Sequence, residues 1–460
     1  MTSPLFTHQA EAIALAKQQT TLALFHEPGL GKTRTVLEIF RNYRANVPDL
    51  KLLVVCPKSI IKDAWLKNAA LWVPEFTICN MRKEKRPENY DIMVINYEMF
   101  QTEKKYHAIK AMAQLDNFMI ALDESSKIKN PKAKRTLKLL EIAEEFPARI
   151  IMSGTPAPNG EHEYWAQIAF LDAQVLPPTF QEFQNRFFYL KRGKQEANCG
   201  YAPGRMMQEG FKLKIKPEKQ MLLAERTGHL IHRADKKTAN LELPPKVFQN
   251  RIVTLTGDER TTYNNMKKHM IVQVKDEVIT SPNVVAKIMK LRQQTSGFLY
   301  NAQHESTWYG KSKLNELAEV LEELGSQQSI IWCEFQTEIE TIKHLYADKC
   351  ATLYGGTEDK DVEIESFLSG EKQYLLAHPK SGGHGLTFVN CSAMIYFNNS
   401  CSFENYSQSQ DRNHRAGQTA DSCLYINLIA EDTVDDEIIY PALMNKGRVS
   451  ELMLRKFLRR

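Results

Sequence analysis

Residues 26–35, HEPGLGKTRT, set a Gly-Lys-Thr turn between the apolar run Leu22–Phe25 and a helical stretch, RTVLEIFRNY. A strand, a glycine turn and a helix N-terminus together make a phosphate cradle, because the first amides of a helix have no partner inside it. Backbone N–H groups from Gly29 through Leu30, Gly31 and Lys32 to Thr33 are expected to face the phosphates, with Glu27 and Pro28 shaping the turn. The Lys32 ammonium would reach the β- and γ-phosphates, and the Thr33 hydroxyl would ligate magnesium. His26 departs from the pattern, standing where the first glycine of G-x-x-x-x-G-K-[ST] is usual. A second chemical pair, Asp123 and Glu124, follows an apolar run ending at Leu122. Beside a phosphate loop, the first acid binds magnesium and the second polarises the attacking water. A third group, Ser153 and Thr155 in SGTPAPNGE, again follows a run, RIIM, where a hydroxyl could sense the γ-phosphate. Far downstream, QSQDRNHRAGQ (408–418) spaces Arg412 and Arg415 by three, which places both on one face of a helix. Each feature alone has a competing reading: a chance Gly-Lys-Thr, solvated carboxylates at a helix start, a Gly/Pro turn, or arginines paired with Asp411.

The elements that must hold these residues read as an α/β fold. TLALF, KLLVVCP, DIMVIN, FMIALDE and ARIIMSG alternate with amphipathic stretches up to about Leu171, and SIIWCEF, ATLYGG, QYLLAHP, SAMIYFN and CLYINLI repeat the rhythm later. Continuous apolar runs are what strands covered on both faces require, so two parallel sheets are expected. Domain one is read as 1–240, with a basic protrusion at about 176–230. Residues 241–255 are an extended linker, since Pro244 and Pro245 disfavour helix. Domain two covers 256–440, with a helical protrusion at about 256–311, and 441–460 form a basic tail that docks, is solvated or touches DNA. Residues 186–219 carry nine Lys or Arg against three Glu.

The chain of 460 residues is too long for one core. Its formal charge of +5 does not by itself mark a nucleic-acid binder, and its eight cysteines include no C-x-x-C pair. That pattern excludes a disulfide framework and a zinc ribbon and fits a reducing compartment. No secretory signal opens the chain, and no run approaches the roughly twenty apolar residues of a membrane span. The expectation is a soluble cytoplasmic protein with no membrane partner.

In order, these segments resemble the Swi/Snf-like ATPases of helicase superfamily two, and its compact bacterial or viral members in length. FTHQAEA is similar to the family's adenine-reading motif, which implies a base contact for Gln9. LVVCPKSIIKDAWLKNAALW and VINYEMF resemble its DNA-facing segments. LDESSKIKN takes the place of the Asp-Glu-Ala-His box, with Ser125 and Ser126 for Ala and His, and SGTPAPN has Pro158 where Gln is common. SIIWCEF, HPKSGGHGLTF and QSQDRNHRAGQ resemble motifs IV, V and VI. The resemblance implies two tandem RecA-like domains with an ATP cleft between them, ATP and magnesium as cofactors, and Arg412 and Arg415 as fingers on the γ-phosphoryl group. It further implies nucleotide contacts at Gly383 and Gly385 and phosphate-backbone contacts at Lys58, Ser59, Tyr97, Thr155, Thr357, Lys380 and Ser381. Such contacts carry little sequence information. The activity implied is ATP-driven, sequence-independent translocation of a monomer on double-stranded or branched DNA, RNA being the less favoured track. A strand-separating helicase and a non-hydrolysing clamp on DNA are the alternatives.

Overall fold

The computed structural model describes residues 4–81, 90–158, 160–192, 195–198, 212–236, 239, 243–276, 281–301, 305–382, 386–399 and 402–444. The chain divides into two units, Met1–Glu242 and Leu243–Arg460. In unit one, strands β1 (Thr21–His26), β2 (Lys51–Cys56), β3 (Ile78–Asn80), β4 (Ile92–Asn96), β5 (Phe118–Asp123) and β6 (Ala148–Met152) join a later strand, β10 (Ile231–Ala234). They form one sheet in the order β10-β1-β6-β5-β2-β4-β3, and every pairing is parallel. Alternate residues feed opposite faces: Leu53, Val55, Ile120 and Leu122 enter one core, and Leu52, Val54, Met119 and Ala121 the other. This double burial explains why the strands lack polar alternation.

Unit two contains β11 (Lys246–Val253), β14 (Ser329–Trp332), β15 (Cys350–Leu353), β16 (Tyr374–Ala377), β17 (Ala393–Tyr396) and β18 (Cys423–Ala430). Their order is β11-β18-β17-β14-β16-β15, again parallel throughout. Both units are therefore parallel α/β sheets, as the apolar rhythm predicts, and agree with the RecA-like domains that the resemblance implies. No described helix is long and apolar enough to cross a membrane, and six cysteines among the described residues are buried free thiols.

Three expectations change. Of the stretch read as a linker (241–255), residues 246–253 form β11, an edge strand aligned with all of β18, so the extended backbone is spent on a ladder. The basic protrusion is part sheet: helix Phe180–Phe187 leads into β7 (Phe188–Arg192), β8 (Gln195–Asn198) and β9 (Lys212–Ile215), an antiparallel trio, before helix Pro217–Gly228. In unit two, helices Gly257–Asp276 and Ser281–Thr295 match the helical reading, and a short hairpin, β12 (Phe298–Tyr300) with β13 (Ser306–Trp308), follows them. Residues 445–460 of the basic tail lie outside the described residues.

Candidate functional site

The carboxyl ends of β1, β5 and β6 meet because their registers align: Leu24 pairs with Met152, and Met152 with Asp123. Ligands of parallel sheets collect at this edge. From β1 the chain turns through Glu27–Gly31 into helix α2 (Lys32–Asn46), whose Val36, Leu37, Ile39 and Phe40 anchor it in the core. Gly29 and Gly31 have φ of 89° and 71°, a region that favours glycine. A Cβ on Gly31 would also stand 2.4 Å from Gln9 Nε2. Lys32 curls back over the loop, its Nζ donating to the carbonyls of His26 (2.9 Å) and Glu27 (3.3 Å). Thr33 is half-buried in the first turn of α2. Exposed Glu27 accepts from the Lys236 amide, and Pro28 packs under Gly154.

Gln9 is not free to read a base with its whole amide. It is buried in the helix Thr7–Ala16, accepts from Phe6 N at 3.0 Å, and donates to Gly31 O at 3.2 Å. Its geometry is that of a brace for the phosphate loop. His26 turns inward instead of leaving the glycine-like opening its position implies. Its Nε2 shares a 2.8 Å hydrogen bond with His232 Nδ1 on β10, and its ring meets His8 edge-on. His8 in turn bonds Leu30 O. Burial foremost, then His232, Lys32 and His8, push His26 down to about 2. Burial also lowers His232, against Glu11.

This has a signed consequence. His26 is neutral in the fold, while in the unfolded chain it takes a proton near its ordinary value, so its contribution is complete above that value and is lost on acidification. Between about pH 7.5 and about pH 5 the parent is expected to lose roughly 2 kcal/mol more unfolding free energy than His26→Gln. Urea midpoints at both pH values check it, and equal losses in the two proteins would refute it.

Asp123 ends β5 and is buried. Its Oδ2 accepts from Trp65 Nε1 and its Oδ1 from Glu124 N, both at 2.9 Å. Burial, then the Glu124 carboxylate, push it up to about 7, while Trp65 and Lys32 oppose the shift. Glu124 is half-buried with φ 55°, unusual for a side chain of its size. Ser153 is buried and accepts the Thr155 amide at 3.1 Å.

In unit two the helix predicted to display Arg412 and Arg415 ends at Gln410. Both arginines lie in the turn beyond it, and they still face one way because both donate to Leu386 O, at 3.3 Å and 3.1 Å. Arg412 is buried and also donates to Gln408 O, whereas Arg415 is half-buried. His414 Nε2 hydrogen-bonds Pro244 O at 2.9 Å.

The predicted DNA contacts divide. Lys58 is exposed in the turn after β2, Thr155 is half-buried in a loop, and Ser381 is half-buried in the short helix Pro379–Gly382. Tyr97 is not surface-facing: its ring is in the core and its hydroxyl donates to Asp123 O at 2.8 Å. Thr357 uses its hydroxyl inside the turn after β15, accepting from Tyr354 N and donating to Thr352 O. Gly383 and Gly385, and the side chains of Ser59 and Lys380, lie outside the described residues. Sequence reasoning missed Trp65, His232 and Gln167. Their roles come from contacts 58, 206 and 42 residues apart in the chain.

The chain thus joins one parallel sheet, with a Gly-Lys-Thr turn and an Asp-Glu turn at its carboxyl edge, to a second parallel sheet. The SNF2-related domain matches residues 8–297 and the helicase conserved C-terminal domain residues 312–417. The chain belongs to the SNF2-related family. It is 24% identical to protein p41 of Acyrthosiphon pisum secondary endosymbiont phage 1, covering 94% of each chain. It is also 24% identical to the chromatin structure-remodeling complex subunit snf21 of Schizosaccharomyces pombe, over 93% of this chain but 37% of the relative. For the ATP-dependent helicase MG018 of Mycoplasma genitalium the figures are 24%, 92% and 39%. The chain thus spans about two fifths of these longer relatives. A SWI2/SNF2 ATPase core of Sulfolobus solfataricus solved with double-stranded DNA aligns at 19% identity and a TM-score of 0.45, covering 97% of this chain and 91% of that one.

Proposed function

We propose that this helicase-like ATPase uses ATP and magnesium to translocate on double-stranded DNA, and so remodels DNA structures or removes bound proteins. The observation that carries the reading is the buried Asp123 carboxylate at the same sheet edge as the Gly29–Thr33 loop. An ionised carboxylate is costly in that setting unless a cation joins it. Carboxylate and hydroxyl oxygens are the hard donors a magnesium ion takes, so Asp123 and Thr33 fit it. When bound, magnesium would supply charge neutralisation at the phosphates.

The remaining steps belong to the protein. The loop amides and Lys32 orient the triphosphate. Glu124, held by the Asp123–Glu124 contact at the strand end, aligns and polarises the attacking water. Arg415, steadied by Leu386 O and Thr387, is assigned to the charge that develops on the γ-phosphoryl group, and Arg412 braces the turn that presents it. Grip on DNA is assigned to phosphate contacts from Lys58, Thr155 and Ser381, which makes tracking independent of sequence. Branched DNA is a second track consistent with backbone contacts of this kind.

ATP turnover measured with duplex DNA, single-stranded DNA and RNA tests the proposal. Duplex is expected to stimulate most, and turnover indifferent to all three would end the motor reading. Displacement of a triplex-forming strand without release of duplex strands is expected. Release of strands from forked duplexes would instead favour the helicase alternative.

A further inference from the structure

Helix Tyr164–Leu171 packs Ile168, Phe170 and Leu171 into the core, yet it also buries a primary amide, Gln167, completely. A buried amide is costly unless both of its ends are used. Gln167 uses both. Its Oε1 accepts from Ser125 Oγ at 2.7 Å, and its Nε2 donates to Pro156 O at 2.7 Å and to Glu163 O at 3.0 Å. Ser125 is the residue directly after Glu124, and Pro156 directly follows Thr155. One side chain therefore ties the turn after β5 to the turn after β6 through the buried Ser125 hydroxyl and the half-buried Pro156 carbonyl.

Neither turn has slack to absorb a shift of the other. Gly154 already backs onto the phosphate loop, since a Cβ there would lie 2.8 Å from Pro28 Cδ. Ser153 Oγ is committed to the Thr155 amide. Glu124, with φ 55°, holds a backbone conformation that is costly for its residue type, and the Ser125 hydroxyl bonded to Gln167 follows it directly in the chain. A strained turn tied through one buried side chain to a second loop is the physical connection that coupling between the two would need. A methionine at position 167 would fill similar volume and connect nothing.

We propose that Gln167 is a positioning residue that carries the state of the Asp123–Glu124 turn to the Thr155–Pro156 segment, and so couples ATP turnover to DNA; this rests on the DNA-stimulated motor reading above. The test compares the full chain with Gln167→Met, Ser125→Ala and the double variant, reading basal turnover, duplex-stimulated turnover and Tm. Gln167→Met is expected to keep basal turnover and KM for ATP close to the parent's while stimulation by duplex falls about five- to tenfold. Ser125→Ala is expected to lose part of that stimulation, and the double variant no more than Gln167→Met, because both cut one path. Stimulation unchanged in Gln167→Met, or basal and stimulated turnover falling together with Tm, overturns the assignment. If Gln167→Met does not fold, Ser125→Ala decides alone, and undiminished stimulation there overturns it equally. A parent that duplex does not stimulate would defeat the motor reading instead, so the two failures are distinct.

Discussion

Lys32→Ala is expected to lower ATP turnover at saturating duplex by about 10³-fold, close to 4 kcal/mol of barrier. The size follows from what the ammonium does at its position. The Gly29–Gly31 turn has two positive φ values and no room for a Cβ at Gly31, which suits the close approach to a phosphate proposed for it. Its amides supply partial charges, and Lys32 is the full positive charge placed over the loop, held there by the His26 and Glu27 carbonyls. Alanine keeps the turn and the N-terminus of α2 but removes that charge where phosphoryl transfer concentrates negative charge. Loss of the hydrogen bonds to the His26 carbonyl, part-buried, and the Glu27 carbonyl, exposed, costs about 2 kcal/mol of folding free energy. Turnover should collapse while the urea midpoint moves little and duplex binding persists. A variant within about tenfold of the parent would take the phosphate-loop assignment down with it, since one oxyanion-stabilising donor alone is worth more than that.

The parts legible in the sequence are those whose signal is local. The ten strands written as apolar runs are buried on both faces, so composition alone reveals them. Two edge strands, β10 and β11, were not legible for the converse reason. Residues 231–234, Ile-His-Arg-Ala, bury little but Ala234, and β11 leaves Phe248 and Ile252 half exposed, so their place in the sheets is a matter of backbone pairing, which leaves no side-chain pattern. The phosphate loop and the Asp-Glu turn were readable because strand, turn and helix are contiguous. What supports them was not. Trp65 on Asp123, His232 on His26 and Gln167 on Ser125 are fixed by register and helix placement, and each residue type taken alone is ordinary core or surface. The arginine pair shows a right outcome from a different cause: spacing by three predicts a shared helix face, whereas the structure ends the helix and aligns the two through a common acceptor, Leu386 O.

That common acceptor separates the arginines into two experiments. Arg412 is buried, and its Nε and Nη1 donate to Gln408 O and Leu386 O; Arg415 still serves Leu386 O when Arg412 is shortened, so Arg412→Ala leaves the Gln408 carbonyl short of a donor and is expected to cost about 1–3 kcal/mol of folding stability. Its turnover should fall as the turn loosens. Arg415 is half-buried, and Leu386 O keeps a partner from Arg412 when Arg415 is shortened, so Arg415→Ala is expected to shift Tm little. If Arg415 delivers the guanidinium that meets developing γ-phosphoryl charge, its loss lowers kcat by roughly 10³-fold or more, the scale of an arginine finger. KM for ATP should change far less, because that charge develops in the transition state and not in bound ATP. Lysine at 415 should recover little, since Nη1 alone holds Leu386 O and Thr387 Oγ1 and leaves Nη2 and Nε of the planar guanidinium to present, whereas an ammonium making those two bonds has no second nitrogen. Steady-state kinetics beside thermal melts read both variants. Retention of kcat within about threefold in Arg415→Ala, too small for a finger, would remove it from the reaction and leave the turn a purely structural device.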